Sequence, residues 1–257
     1  MPAQNLPGLT LDRSHRLSDG LLSWFPMNEQ SGAGLRDVVT GKVSTALNVS
    51  AGWRTGSPLG GGVLLDGTDD YAPFTVAATL TGWSMVAWIR PDAWSAISPY
   101  ESTIMAAYGA PPYARVFFGH GGSAANKQHL SIDSGYATNT TTIDQTAGKW
   151  IHVVGTCDAV AQKIYVNGQL IGAGAGAAPI TSVGTYYIGS LPGYGRYFSG
   201  GMAHARFYGR VLDAREVAQL YTDPLAGALA PSRAARFYVQ GFKAAWASRS
   251  NQIIGGG

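Results

Sequence analysis

Apolar and polar residues alternate with a period of two over much of the chain, the spacing of half-buried β-strands. The stretch 20–27 predicts a first core strand, with Leu22, Trp24 and Pro26 on one face and Leu21, Ser23 and Phe25 on the other. Around Trp88 the residues Met85, Ala87 and Ile89 alternate with Ser84, Val86, Trp88 and Arg90. Both faces are largely apolar, which predicts an interior strand. Residues 93–128 are broken by Pro99, Pro111, Pro112 and Gly121-Gly122, and predict strands near 103–107 and 115–119 between loops. The run 129–133 alternates as a half-buried strand should. Ile151, Val153, Gly155 and Cys157 share one strand face, Ile164 and Val166 mark another strand, and Leu170 and Ile171 begin a return strand. Between the last two strands, Asn167-Gly168 supplies the two positive-φ positions of a type I′ turn. The alternating glycines and alanines of 172–177 predict a flexible loop.

One segment has helical spacing. It follows a predicted strand over 202–208, and it is short. Asp213 with Glu216 makes a capping box, Leu212 and Val217 make a hydrophobic staple, and Val217, Leu220 and Tyr221 form an apolar stripe.

Composition narrows the class. The chain has 257 residues, enough for one large all-β domain, and at 13% charged residues its body is not disordered by composition. The 35 glycines and 13 prolines fit many turns between short strands. No apolar run is long enough for a membrane helix, and the first residues lack the apolar core of a secretory signal. Cys157, on an apolar strand face, is expected to be a buried structural thiol. A lone cysteine in so large a domain points to synthesis in a reducing cytoplasm. The net charge of +3 is small, but beyond Asp223 the chain carries four basic residues and no acid. They are not clustered, so a protein partner is expected there rather than nucleic acid.

Four segments in order carry a family resemblance: Val63–Tyr71 (VLLDGTDDY), Gly82–Pro91 (GWSMVAWIRP), Lys149–Leu170 with its KWIHVVGT and IYVNGQL pieces, and Gly200–Tyr221. Over about residues 18–223 the chain resembles laminin-G-like, concanavalin A-like lectin/glucanase sandwich domains, of the kind found in tailed-bacteriophage virion structural proteins. The resemblance implies an all-β, two-sheet antiparallel jelly-roll sandwich with one short capped C-terminal helix. It divides the chain into an N-terminal extended arm (1–17), the sandwich (18–223) and a C-terminal basic and aromatic arm (224–257).

Some members of this fold are glycoside hydrolases, which need two carboxylates across the scissile bond. No candidate strand here carries the alternating acids of such a pair, and where family members typically have an acidic pair this chain has Ala203-His204. The five histidines are scattered, no nucleophile elbow is present, and the 172–177 glycines lack the Lys-Ser/Thr of a phosphate loop. No catalytic residue is assigned and an enzyme is not expected. The one cofactor with candidate ligands is calcium: Asp66, Asp69 and Asp70, with Asn28 or Asp37 from a neighbouring loop, offer oxygen donors. The alternative is that these acids cap a turn at Gly67.

Two functions follow. The first is a non-enzymatic virion structural protein, a capsid decoration or cement protein or a head- or tail-associated component. It would be built by protein–protein contacts and is expected to be a homo-oligomer. Its assembly arm would use Arg233, Arg236, Phe237, Tyr238, Phe242, Lys243, Trp246 and Arg249. The alternative is a carbohydrate-binding module that stacks glycans on the loop aromatics Trp94, Tyr100, Tyr108, Tyr113, Tyr136 and Tyr194. The two can coexist on a particle that touches surface glycans. No membrane partner is expected.

Overall fold

A computed structural model describes residues 9–29, 31–32, 34–45, 52–55, 57, 61–76, 79–93, 102–108, 115–122, 128–133, 138–143, 147–176, 184–191 and 194–229. It is an all-β sandwich of antiparallel sheets with one short helix near the C-terminal end of the described residues. The larger sheet runs, in spatial order, Gln169–Ala175, Ala161–Val166, Ile151–Asp158, Gly82–Pro91, Ser199–Tyr208, Gly61–Asp66 and Trp53–Thr55, with Leu21–Phe25 also paired to Ser199–Tyr208. The smaller runs Thr138–Ile143, Gln128–Asp133, Arg115–Gly122, Ser102–Tyr108, Gly184–Ile188 and Ala72–Val76. No helix among the described residues is long and apolar enough to cross a membrane.

The main core lies between the sheets. Met85, Ala87, Ile89, Val153 and Ile164 from the larger sheet are buried with Ile104, Leu130, Ile132 and Tyr186 from the smaller. The strand Gly82–Pro91 is apolar on both faces because its other face is also covered. Val86, Val154, Tyr165 and Tyr208 form a second cluster on the outside of the larger sheet. The helix Ala214–Thr222 lays Val217 and Leu220 on that cluster, each contributing about 2 kcal/mol of apolar burial.

The capping box forms as the sequence predicts: Asp213 accepts from the Glu216 N–H, and Glu216 accepts from the Asp213 N–H. Glu216 also takes two 2.8 Å hydrogen bonds from the Arg210 guanidinium. Burial pushes its carboxyl up, but the Arg210 bonds, the Asp213 N–H and the Arg210 charge together outweigh this and hold it below the usual range. Replacing Glu216 with Ala removes the reciprocal half of the capping box and the bidentate partner of Arg210, which keeps its bonds to the Asp19, Val211 and Arg16 carbonyls, so we expect a loss of about 1–3 kcal/mol in a urea unfolding series.

Asn167 and Gly168 both have positive φ (49° and 81°), so the predicted I′ turn is present. Two predicted features differ. The alternation in 20–27 fails because Leu22 is an extra, bulged residue: the consecutive Phe207 and Tyr208 pair with Ser23 and Leu21. Leu21 and Trp24 therefore join the outer cluster, whereas Phe25, with Leu22 beside it, faces the main core. The glycine–alanine run is not a loop as far as Ala175: it continues the edge strand paired to Ala161–Val166. A Cβ at Gly172 would lie 2.6 Å from Thr141, so the small residues let the two sheet edges approach.

Residues 9–17, read from the sequence within an arm, lie on the helix-bearing face. Leu9, Leu11 and Leu17 are buried in the outer cluster. Leu225 and Ala226 join them, and Thr10–Leu11 pairs antiparallel with Ala228–Leu229. The two ends of the described chain thus leave the sandwich side by side.

Candidate functional site

The turn after Gly61–Asp66 brings Asp66, Asp69 and Asp70 together, with one carboxylate oxygen of each within 4.8 Å of the others. Two ligands on opposite sides of a calcium ion lie about this far apart, so the donor set fits such an ion in spacing and hardness. The same oxygens also build the turn. Asp66 Oδ1 accepts from the Thr68 N–H at 2.8 Å, and the buried Asp70 accepts from the Asp66 N–H at 2.9 Å. Gly67 supplies the required positive φ of 80°. Asp37, which the sequence offers with Asn28 as an alternative further ligand, has both oxygens engaged: Oδ1 accepts from the Trp24 and Val39 N–H groups and Oδ2 from the Thr40 hydroxyl. Its carboxylate holds a loop to the first strand.

Of the loop aromatics, Tyr194 is 46% exposed, with the Arg196 guanidinium 5.3 Å from its ring centre. Tyr108 ends the strand Ser102–Tyr108. Trp94, Tyr100, Tyr113 and Tyr136 lie outside the described residues, as do the arm residues Arg233, Arg236, Phe237, Tyr238, Phe242, Lys243, Trp246 and Arg249. Sequence reasoning missed the half-buried pair Tyr71 and Tyr187, edge to face at 5.7 Å beside the acidic turn. Tyr71, in the Asp-Asp-Tyr motif, was its only signal.

A cluster of buried polar groups escaped the sequence, where His204 stood out only as a departure from the family's acidic pair. On the outer face of the larger sheet, His152 packs against Trp88 at 5.3 Å and against Tyr221 of the helix at 5.9 Å. Arg206 lies 3.8 Å over the Trp24 ring and donates to the carbonyls of Ala226 (3.0 Å) and Pro224 (2.6 Å). His204, on a bulge with φ of 51°, sits 6.4 Å from Trp24. Burial, reinforced by the Arg206 charge, pushes both imidazoles down to about 3, and they are neutral at pH 7. Neither is placed for surface chemistry, because both are buried.

Residues 66–218 match the family model described as the concanavalin A-like lectin/glucanases superfamily. The chain belongs to this superfamily. Among curated proteins, none matches it. Of solved structures, one similar to this superfamily member is domain 4 of AbnA, a GH43 extracellular arabinanase from Geobacillus stearothermophilus, in complex with arabinotriose. The TM-score is 0.59 at 16% identity, over 80% of this chain and 98% of that domain. Another is Trypanosoma rangeli sialidase in complex with sialic acid, with a TM-score of 0.56 at 19% identity over 79% of this chain. The match spans 33% of the sialidase. At these identities the likeness is one of fold.

Proposed function

We propose that this superfamily member is a non-enzymatic structural component of a virus particle, a sandwich carried on its neighbours by the terminal segments. The supporting observation is the pairing of Thr10–Leu11 with Ala228–Leu229, which sets the first and last described segments side by side on the helix-bearing face. Extended segments leaving together can add backbone hydrogen bonds to a neighbouring subunit. A non-catalytic role is supported by the use of the Asp66 and Asp70 carboxylates as turn caps and by the burial of His152 and His204. In this reading the protein is made in the host cytoplasm and ends up in the virion. Light scattering should find a defined oligomer for the full chain and a folded monomer for the chain ended after Leu229. Monomers in both cases would refute assembly through residues 230–257.

The second reading is glycan recognition, favoured by a fold likeness that covers 98% of a domain solved with arabinotriose. Tyr194, exposed beside Arg196, is its described loop aromatic. If calcium assists, Asp66, Asp69 and Asp70 would hold it. A glycan array with wild type and Tyr194→Ala tests it. Binding weakened in the variant supports this reading, and an empty array refutes it.

A further inference from the structure

His152 lies where the end of the helix meets the larger sheet. Its ring packs against Trp88 on the neighbouring strand at 5.3 Å and against Tyr221 in the last turn of the helix at 5.9 Å. Tyr221 in turn stacks on Trp88 at 5.7 Å. The helix comes this close because it is seated on Gly168, where a Cβ would lie 3.2 Å from the Tyr221 ring and 3.5 Å from the Ala218 Cα. That turn is tied to the histidine: the His152 N–H donates to Asn167 Oδ1 at 3.0 Å, and the Asn167 N–H to the His152 carbonyl at 2.8 Å.

The imidazole is buried, and neither ring nitrogen has a hydrogen-bond partner among the described residues. The titratable groups on the elements around it are Tyr165, Arg90, Tyr221, Asp223, Arg206 and His204. Arg90 turns its Nε to the Gly148 carbonyl at 2.6 Å. The one acid of this set, Asp223, acts on Arg206, and the Arg206 charge acts on His152. Glu216, at the other end of the helix, is taken by Arg210. A proton on His152 would therefore meet a cation and no counter-ion while Tyr221 stays in place.

The cover over His152 is held unequally. At its start the Ser84 hydroxyl accepts from the Leu212 N–H at 2.9 Å and donates to the Arg210 carbonyl at 2.8 Å, and Arg210 grips Glu216. At its far end the hold is the Arg206 guanidinium on the Pro224 and Ala226 carbonyls, the buried Leu225 and the short pairing with Thr10–Leu11. The far end thus depends on the cation whose charge reaches His152. His204 is not under this cover. It packs on Trp24 of the first strand and donates its N–H to the Pro26 carbonyl at 3.3 Å, with no ring contact or hydrogen bond to the helix or to 223–229 among the described residues.

We propose that Tyr221–Leu229 is an acid-operated latch: a proton on His152 favours the state in which this segment has lifted from the larger sheet while both sheets stay folded. The latch stands whether or not residues 230–257 assemble, and it makes the placement of the terminal segments depend on the surrounding acidity. Native-state hydrogen exchange of the isotope-labelled full chain, followed by NMR in a series of low urea concentrations at pH 7 and pH 5, tests it. The amides of Asp223, Ala226 and Ala228 are bonded to the carbonyls of Gln219, Asp223 and Leu225. They should open with a smaller urea dependence than the amides of Gly82–Pro91. Their opening constant should rise about 25-fold from pH 7 to pH 5, the proton uptake of one imidazole that regains its ordinary value of 6.5 when uncovered. His152→Phe keeps a ring between Trp88 and Tyr221 and should abolish the rise, whereas His204→Asn should retain it. Exchange of the three amides with the same urea dependence as Gly82–Pro91 would show one cooperative unit and overturn the latch. An opening constant indifferent to pH, a rise that survives His152→Phe, or a rise lost in His204→Asn would overturn the role of His152. The wild-type dependences and His204→Asn decide the matter even if His152→Phe does not fold.

Discussion

Lowering the pH from 7 to 5 should cost the fold about 4 kcal/mol, about 2 from each of His152 and His204. In the unfolded chain each imidazole takes up a proton below its ordinary value of 6.5; in the folded protein neither does so until about 3. Between those limits the unfolded state binds more protons, so stability is full above pH 6.5 and falls as the pH drops toward 3. The carboxylates held low by their hydrogen bonds, Asp213 and Glu216, lose their contribution only in the more acidic range where carboxyls titrate. Glu29, whose carboxyl burial pushes up, acts in the opposite direction as the pH falls, so the histidine substitutions below are what assign the loss. Burial of the histidines is costly because both ring nitrogens of His152 and Nδ1 of His204 have no hydrogen-bond partner among the described residues. A charged ring there would also face Arg206. Urea midpoints at the two pH values measure the effect. His152→Phe keeps a ring against Trp88 and Tyr221 and should remove about half of the pH dependence, and His204→Asn, which tolerates the positive φ, should remove most of the other half. A His152→Phe variant with the wild-type pH dependence would mean that this imidazole is not the titrating group.

The elements that the sequence displayed are those whose cause is local. Asn167-Gly168 dictates its own turn, and Asp213 and Glu216 cap their own helix within one turn of chain. The alternation of Gly82–Pro91 showed an interior strand because both of its faces are covered along its length. What escaped depends on partners distant in sequence. Nothing near Arg206 shows that its guanidinium meets the carbonyls of Pro224 and Ala226, nor that Leu9 and Leu11 reach the outer face, because segments that short show no period. The bulge beside Phe207 moved Leu21 to the opposite face from the one that strict alternation assigns. The acidic turn was legible in composition and spacing.

Ending the chain after Asp223 should destabilise it by about 5 kcal/mol relative to ending it after Leu229. The shorter chain loses the two carbonyls that receive the Arg206 guanidinium, the buried Leu225 and Ala226, and the strand partner of Thr10–Leu11. Most of the cost is electrostatic. Burial already lowers the Arg206 pKa, and without Pro224 and Ala226 its charge would be left with the Trp24 face and with Tyr208 and Asp223. Stranding a buried charge in this way costs about 3–5 kcal/mol, and the lost leucine burial adds about 2. The chain ending at Leu229 keeps every described contact, so the pair separates the strap from whatever lies beyond it. A second substitution identifies the cause. Arg206→Met should be destabilising in the chain ending at Leu229, where it leaves two carbonyls without a donor. In the chain ending at Asp223 it should be neutral or stabilising, because an apolar side chain has no charge to strand. The sign change between backgrounds, read from urea midpoints, is the signature of the Arg206 clamp. If both truncations unfold at the same midpoint, residues 224–229 contribute nothing to the fold. If Arg206→Met is equally costly in both, its role is packing on Trp24, and the strap is held by Leu225 and the strand pair alone.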